Sequence, residues 1–264
     1  MVAAGRRRSR SRLPDGLNPT RRGGTRYRAA AALVILFATS AAGLPGLGPQ
    51  EARVAVDIGA MPWAAVARLQ VPGVSRCTGF LVRPRTVVTA AHCLYGRRLG
   101  HFAPPSSVHI LLGYADGSFA RHVVAEAFRV AAGYDPLAAA RQGADVAVVT
   151  LKAPVAAPGA ILVLADEPVR PGTRLMLGGY GQDRAERMLA DISCMALGYA
   201  ARPGGHALLV HDCAGTRGTS GGPVLAQGPD GSWQAVGMQV AGNVNDVGGS
   251  AVSAATIRRM LPGP

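Results

Sequence analysis

From about residue 58 the chain reads as short β-branched, apolar runs broken by Gly, Pro, Asp and Ser. Short runs of this texture, separated by Gly and Pro, read as strands. The pattern predicts strands over Ala64–Val71, Gly79–Val82, Val87–Ala90, Val108–Leu112, His122–Val130 and Val146–Leu151. A second set follows over Arg174–Tyr180, Ser193–Leu197, Ala207–His211, Pro223–Ala226, Gln234–Gln239 and Ser250–Val252. The breaks carry turn chemistry, as in Ala-Asp-Gly-Ser at 115–118 and Gly-Pro-Asp-Gly at 228–231. Pro154, Pro158, Pro168 and Pro171 mark a joint between the two sets. Only Ser253–Leu261 has helical texture. Many short strands without a long helical period place the chain in the all-β class, as a barrel or a sandwich.

The N-terminal part changes how the composition is read. The formal net charge is +13, but residues 1–28 alone hold nine Arg against one Asp. The rest of the chain carries 19 basic and 14 acidic residues, a mixed solvated surface rather than a nucleic-acid footprint. Residues 29–44 are an apolar stretch of 16, short for a membrane-spanning helix, which needs about 20. Basic, then apolar, then small residues is the order of a secretory signal. Ser40 with Ala42, or Thr39 with Ala41, fits a small-x-small cleavage rule. Residues 1–42 are therefore expected to be a basic leader and signal peptide. Residues 43–57, with Pro45, Gly46, Gly48 and Pro49, form a linker or pro-segment ahead of a domain over 58–264. A secreted or periplasmic location follows, with the membrane involved only through an uncleaved signal.

Four cysteines in an exported chain imply two disulfides, for which sequence alone permits three pairings. The expected pairing is the one with two short closures, Cys77–Cys93 and Cys194–Cys213. No pair has the C-x-x-C spacing of a zinc site, and no metal or cofactor is expected.

Three segments carry chemistry. Thr-Arg-Gly-Thr-Ser-Gly-Gly-Pro at 216–223 presents the Ser220 hydroxyl in a glycine-rich turn, where the Gly218 and Ser220 amides could converge on a developing oxyanion. Thr-Ala-Ala-His-Cys at 89–93 sets His92 beside a half-cystine; a neutral imidazole accepts a serine proton. Ala-Asp-Val-Ala-Val-Val-Thr-Leu at 144–151 opens an apolar strand with Asp145, an acid that needs a partner if it is buried. Nucleophile, base and orienting acid are the parts of acyl transfer. The other histidines, His101, His109, His122, His206 and His211, lack such a context.

These segments resemble the trypsin-like (chymotrypsin-fold) serine peptidases, in their bacterial secreted branch. Thr-Ala-Ala-His-Cys matches the family's histidine motif, and Ala-Asp-Val-Ala-Val-Val is similar to its aspartate motif. Gly-Thr-Ser-Gly-Gly-Pro departs from the serine motif at Thr219, where Asp is common. Leu-Gly-Gly-Tyr-Gly at 177–181 is similar to the Gly-Trp-Gly segment, with Tyr180 for Trp. The resemblance covers about 58–261 and implies two six-stranded antiparallel barrels, about 58–157 and 168–264, with the site between them. It implies a Ser220–His92–Asp145 triad and an oxyanion hole at Gly218 and Ser220. It places Ala214, Gly215 and Thr216 opposite Gln239, Val240 and Gly242 as walls of the substrate pocket. Ala214 falls where trypsin carries Asp, so the residue before the cut bond is expected to be neutral.

Thr219 cannot pair with a new N-terminal ammonium as the family's Asp does. Local hydrogen bonds, through the Thr219 hydroxyl and the Cys213 segment, are expected to hold the oxyanion turn; activity confined to one N-terminus would instead point to an ion-pair switch, with Asp212 the first acid to test. Chains starting at about 43, 50 or 56 are then expected to turn over alike. The partner expected is a protein or peptide substrate, the protein a monomer. Gly218-x-Ser220-x-Gly222 also fits an α/β-hydrolase elbow, but no histidine follows Ser220 as that order requires. A subtilisin-like order through Asp57 lacks its histidine motif. The remaining alternative is a secreted pseudoprotease used as a binding module.

Overall fold

The computed structural model describes residues 44–47, 51–138, 143–155, 159–201, 207–243 and 246–263. The expected signal over 1–42, Gly48, Pro49, Pro158 and His206 lie outside the described residues.

Sixteen strands and one helix are described. In chain order they are β1 (Val54–Ala55), β2 (Val66–Val71), β3 (Ser75–Arg83), β4 (Thr86–Thr89), β5 (Tyr95–Gly96), β6 (His101–Phe102), β7 (His109–Leu112) and β8 (Arg121–Val130). The second half contributes β9 (Ala147–Leu151), β10 (Val163–Leu164), β11 (Arg174–Gly179), β12 (Leu189–Ala200), β13 (Leu208–His211), β14 (Pro223–Gln227), β15 (Trp233–Gly242), β16 (Gly249–Ser253) and α1 (Ala254–Met260).

Two closed antiparallel barrels result. The first runs β2-β3-β4-β9-β8-β7 and closes back onto β2. The second runs β12-β11-β14-β15-β16-β13 and closes through the β12–β13 pair. Closure leaves no barrel edge unpaired, which a sheet of this length otherwise has to manage. The first barrel is filled by Leu69, Phe80, Leu81, Ile110 and Leu151, the second by Leu175, Leu177, Leu209 and Leu225, all essentially inaccessible. The helix starts at Ser253, whose side chain accepts from the Thr256 amide as an N-cap. Among the described residues no helix is long and apolar enough to cross a membrane.

Three features of this architecture place the chemistry. Strand β4 pairs with β9 in the register Thr89↔Ala147. Running two residues past that pair in opposite directions sets residue 91 against residue 145, next to His92. The chain then leaves β4 in a short 3-10 turn, Ala91–Leu94, which turns His92 out of the sheet. Finally, the Thr78 amide on β3 of the first barrel donates to the Ser220 carbonyl (2.9 Å), just ahead of β14 in the second.

Candidate active site

Asp145 is buried, with 5 % of its surface exposed. Its charge is met at two points. The His92 amide donates to Oδ1 (2.9 Å), and His92 Nδ1 lies 2.6 Å from Oδ2. A carboxylate that accepts from Nδ1–H fixes the tautomer, leaving the Nε2 lone pair as the proton acceptor. A disulfide from Cys77 to Cys93 (S–S 2.06 Å) ties the residue after His92 to β3.

Ser220 and His92 line one cleft of about 860 Å³, together with Gly218, Gln182, Cys77 and the loop 95–99. Among the described residues the Ser220 hydroxyl makes no hydrogen bond. A contact between an expected nucleophile and its base often tightens only when substrate is bound.

The turn ahead of Ser220 is held plane by plane. A trans peptide points its N–H and C=O to opposite sides, so fixing the carbonyl aims the amide. The Gln182 amide donates to the Arg217 carbonyl (2.6 Å), which turns the Gly218 N–H the other way. In the next plane the Thr78 hydroxyl donates to the Gly218 carbonyl (2.8 Å), while the Thr219 amide donates to Thr216 O (3.0 Å). In the third, the Gly222 amide donates to Thr219 O (2.8 Å), which turns the Ser220 N–H away from it. The Gly218 and Ser220 amides have no protein acceptor among the described residues. Gly218 and Gly221 have positive φ, +96° and +83°. A Cβ on either would stand 2.4 Å from Tyr180 O or 2.0 Å from Thr78 O, so both positions admit only glycine.

Residues 53–258 match the family described as Trypsin. The chain belongs to this family of serine endopeptidases. A solved "Glu endopeptidase in complex with MPD" is similar to it in fold, with TM-score 0.66 at 21% identity, over 80% of this chain and 96% of that one. No curated protein sequence matches it.

Within this trypsin-family frame, Thr219 works locally. Its hydroxyl accepts from the Thr216 amide (3.3 Å). Asp191 is the acid bonded to the expected pocket wall. Asp191 is 3% exposed and accepts from the Ala214 amide (2.8 Å) and the Ser193 amide (3.1 Å). Asp212 instead caps the β12–β13 pair by accepting from the Met195 amide (2.6 Å). A second disulfide, Cys194–Cys213, anchors the same segment. Arg53 reaches across to Glu51 and Asp183. Burial alone would lower the Arg53 pKa, but the two carboxylates outweigh it and hold it raised. This clamp fixes the 182–184 turn, whose first residue orients Gly218.

The expected pocket walls have unequal exposure. Ala214, Gly215, Gln239 and Val240 are buried, Thr216 is half-buried, and Gly242 is exposed. The Gln239 amide is engaged at both ends: Oε1 accepts from His211 Nε2 (2.7 Å), and Nε2 donates to Ala241 O (2.9 Å). His211 Nδ1 accepts from the Cys213 amide (3.2 Å), so the ring is neutral, and its burial pushes its pKa down. The groups nearest to metal-ligand geometry are Cys77, His92 and Cys93, and Cys194, Asp212 and Cys213. Both contain disulfide sulfurs, which are not thiolate donors.

Thr78, Asp191, Arg53 and His211 had no functional signal in the sequence, and Gln239 was expected as a pocket wall but not as the partner of His211. Each acts through a contact far along the chain, and none sits in a recognisable motif.

Proposed function

We propose that the protein is an exported serine endopeptidase that cuts peptide bonds through an acyl-enzyme on Ser220. The observation that carries this reading is the pair of acceptor-free amides, Gly218 and Ser220, in a cleft that also holds an imidazole already oriented by a buried carboxylate. His92 Nε2 takes the Ser220 proton as Oγ bonds to the scissile carbonyl carbon. The two amides receive the oxyanion, the term that most lowers such a barrier. Collapse breaks the C–N bond, and His92 passes the proton to the leaving amine. Water then attacks the acyl-enzyme by the same route, releasing the acid and restoring Ser220.

Two disulfides fit an oxidising compartment, and the basic-apolar-small order of residues 1–42 fits a signal removed on export. The pocket walls suit a neutral residue before the cut bond. Ala214 and Gln239 are uncharged, and Asp191, which touches the Ala214 wall, is occupied by two backbone amides.

A phosphonylating serine probe tests the reading. Labelling should map to Ser220 and disappear in His92→Ala. Turnover should fall by several orders of magnitude in Ser220→Ala while the melting temperature holds. Normal turnover in Ser220→Ala would sink the assignment, and failure to label at all would return the chain to the binding-module alternative.

A further inference from the structure

The space between the expected pocket walls is already filled by the chain itself. Residues 44–47 make a turn, with the Leu47 amide donating to Leu44 O (3.1 Å). The Gly46 carbonyl accepts from the Gly215 amide (3.1 Å) and the Gly248 amide (3.3 Å). Gly46 and Leu47 both bridge to Val247. On the facing side, an ideal Cβ at Gly242 would stand 3.4 Å from Gly46 Cα and 3.4 Å from Pro45 O. Pro45–Gly46 therefore sits between Gly215 and Gly242, and Leu47 is buried at 8% exposure. Gly46 is the only residue type that fits there. Its φ is +86°, and a Cβ would lie 2.1 Å from the Gly215 carbonyl oxygen.

We propose that residues 44–47 are an internal strap docked in the acyl-side pocket, which keeps the chain that carries them latent toward peptides until they are lost. This rests on the reading of 214–216 and 240–242 as the walls of that pocket. A substrate side chain and the strap would need the same space, so the strap acts as a tethered competitor. Arg53, buried against Asp183, lies beyond the strap and stays with the enzyme when it leaves. A chain starting at 43 keeps the strap and one starting at 50 lacks it, so the equivalence expected from Thr219 alone does not extend to these two.

The test is Gly46→Val in the full chain, with the intact mass checked to exclude processing. If the strapped pocket is open a tenth of the time or less, the substitution lowers KM for a peptide amide roughly tenfold or more and leaves kcat unchanged. An unchanged or raised KM overturns the proposal. Hydrogen exchange in a Ser220→Ala background gives a readout that needs no catalysis. The Gly215 and Gly248 amides should exchange at least about tenfold faster once Gly46→Val expels the strap, and unchanged exchange overturns it. Faster exchange in a chain that never turns over would keep the strap and overturn the peptidase reading instead.

An independent observation concerns the other side of Ser220. None of the six expected pocket-wall residues lines the 860 Å³ cleft, which runs instead past Arg97, Arg98 and Arg217. All three arginines are exposed, and none is paired with a carboxylate among the described residues. None of the described residues lining the cleft is acidic, and Asp145 beside it is bound to His92. We infer that the leaving-group side of the site favours peptides with Asp or Glu in the first few positions after the cut bond. This too rests on Ser220 as nucleophile.

Paired peptides carrying two Glu or two Gln after the cut bond test it. The Glu peptide should show about 3–10-fold higher kcat/KM at low salt, from exposed charge pairs. The advantage should shrink in 0.5 M salt, where such pairs are screened (Debye length about 4 Å), and in Arg97→Gln/Arg98→Gln. Equal cleavage of both peptides overturns the inference. Titrating the same peptides onto Ser220→Ala reads the preference without turnover, and equal affinities there also overturn it.

Discussion

Replacing Thr78 by Val removes one hydroxyl and keeps the shape of a fully buried side chain. That hydroxyl donates to Gly218 O (2.8 Å) and accepts from the Tyr180 amide (2.9 Å), while the Thr78 amide still donates to Ser220 O. Two buried backbone groups lose their partner, each worth roughly 1–3 kcal/mol of stability. The larger consequence is for catalysis. The Gly218–Thr219 plane sits between the two planes that aim the proposed oxyanion amides, and Thr78 is what holds its carbonyl. Outright loss of one oxyanion donor costs about 10²–10³ in kcat. Thr78 acts through the position of both donors without touching the substrate, so a drop of about 10–100-fold is expected, or about 1.4–2.7 kcal/mol in the barrier. KM should change little, because the ground-state carbonyl gains less from these amides than the oxyanion does. Thr78→Ser restores the hydroxyl at the loss of one methyl and should recover kcat to within about threefold. The assay is kcat and KM on a chromogenic peptide for both variants, with melting curves to show that each is folded. Wild-type kcat in Thr78→Val, or a Thr78→Ser variant as impaired as the valine, would refute the plane-by-plane account.

Two further outcomes follow from the second barrel. His211 is buried and neutral, with its pKa pushed below the ordinary 6.5. Below pH 6.5 the unfolded chain takes up a proton that the folded chain refuses, so stability falls as the pH drops toward the folded value, by up to about 1.4 kcal/mol per pH unit. Urea titrations at pH 7.5 and 5.5 should show this loss, and His211→Gln should reduce it even though it lowers stability throughout; the same slope in both proteins would show that other groups are responsible. Removing Cys194–Cys213, which closes a loop with a sequence separation of 19, should cost about 3 kcal/mol in the Cys194→Ser/Cys213→Ser chain. It should also raise KM more than it lowers kcat, because Cys213 precedes the proposed pocket wall at Ala214 while Gly218 keeps its own ties; an equal fall in kcat would contradict that division.

The barrel strands were legible because their signal is local. Arg174–Tyr180 and Val146–Leu151 were expected within a residue of β11 and β9, since short apolar runs with Gly or Pro close by have few other solutions. Ser193–Leu197 was expected too short: β12 runs from Leu189 to Ala200, with Ile192, Met195, Leu197 and Tyr199 exposed, so apolar side chains on its outer face blurred the alternation. The two-residue strands β1, β5, β6 and β10 had no signal, being pairings imposed by their neighbours rather than by their own residues.

The same division explains the site. Gly-x-Ser-Gly-Gly can be read in one dimension because a positive φ and a missing Cβ are demands that the chain meets on the spot. What aims the amides of that turn comes from elsewhere. Thr78 is 140 residues from Gly218, and as a threonine in a strand it looks like an ordinary β-former. Asp191 is 23 residues from Ala214 and follows an alanine in an unremarkable run. Arg53 and Asp183 are 130 residues apart in a chain crowded with arginines. Each tie costs the desolvation of a polar group, and each is tolerable only because the folded partner is already in place. The substitution of Thr for the family's common Asp at 219 is therefore not a lost function to be compensated at that position. With three successive carbonyls held by Gln182, Thr78 and Gly222, and the Gln182 turn itself clamped by Arg53, the turn has no plane left for a charged N-terminus to set.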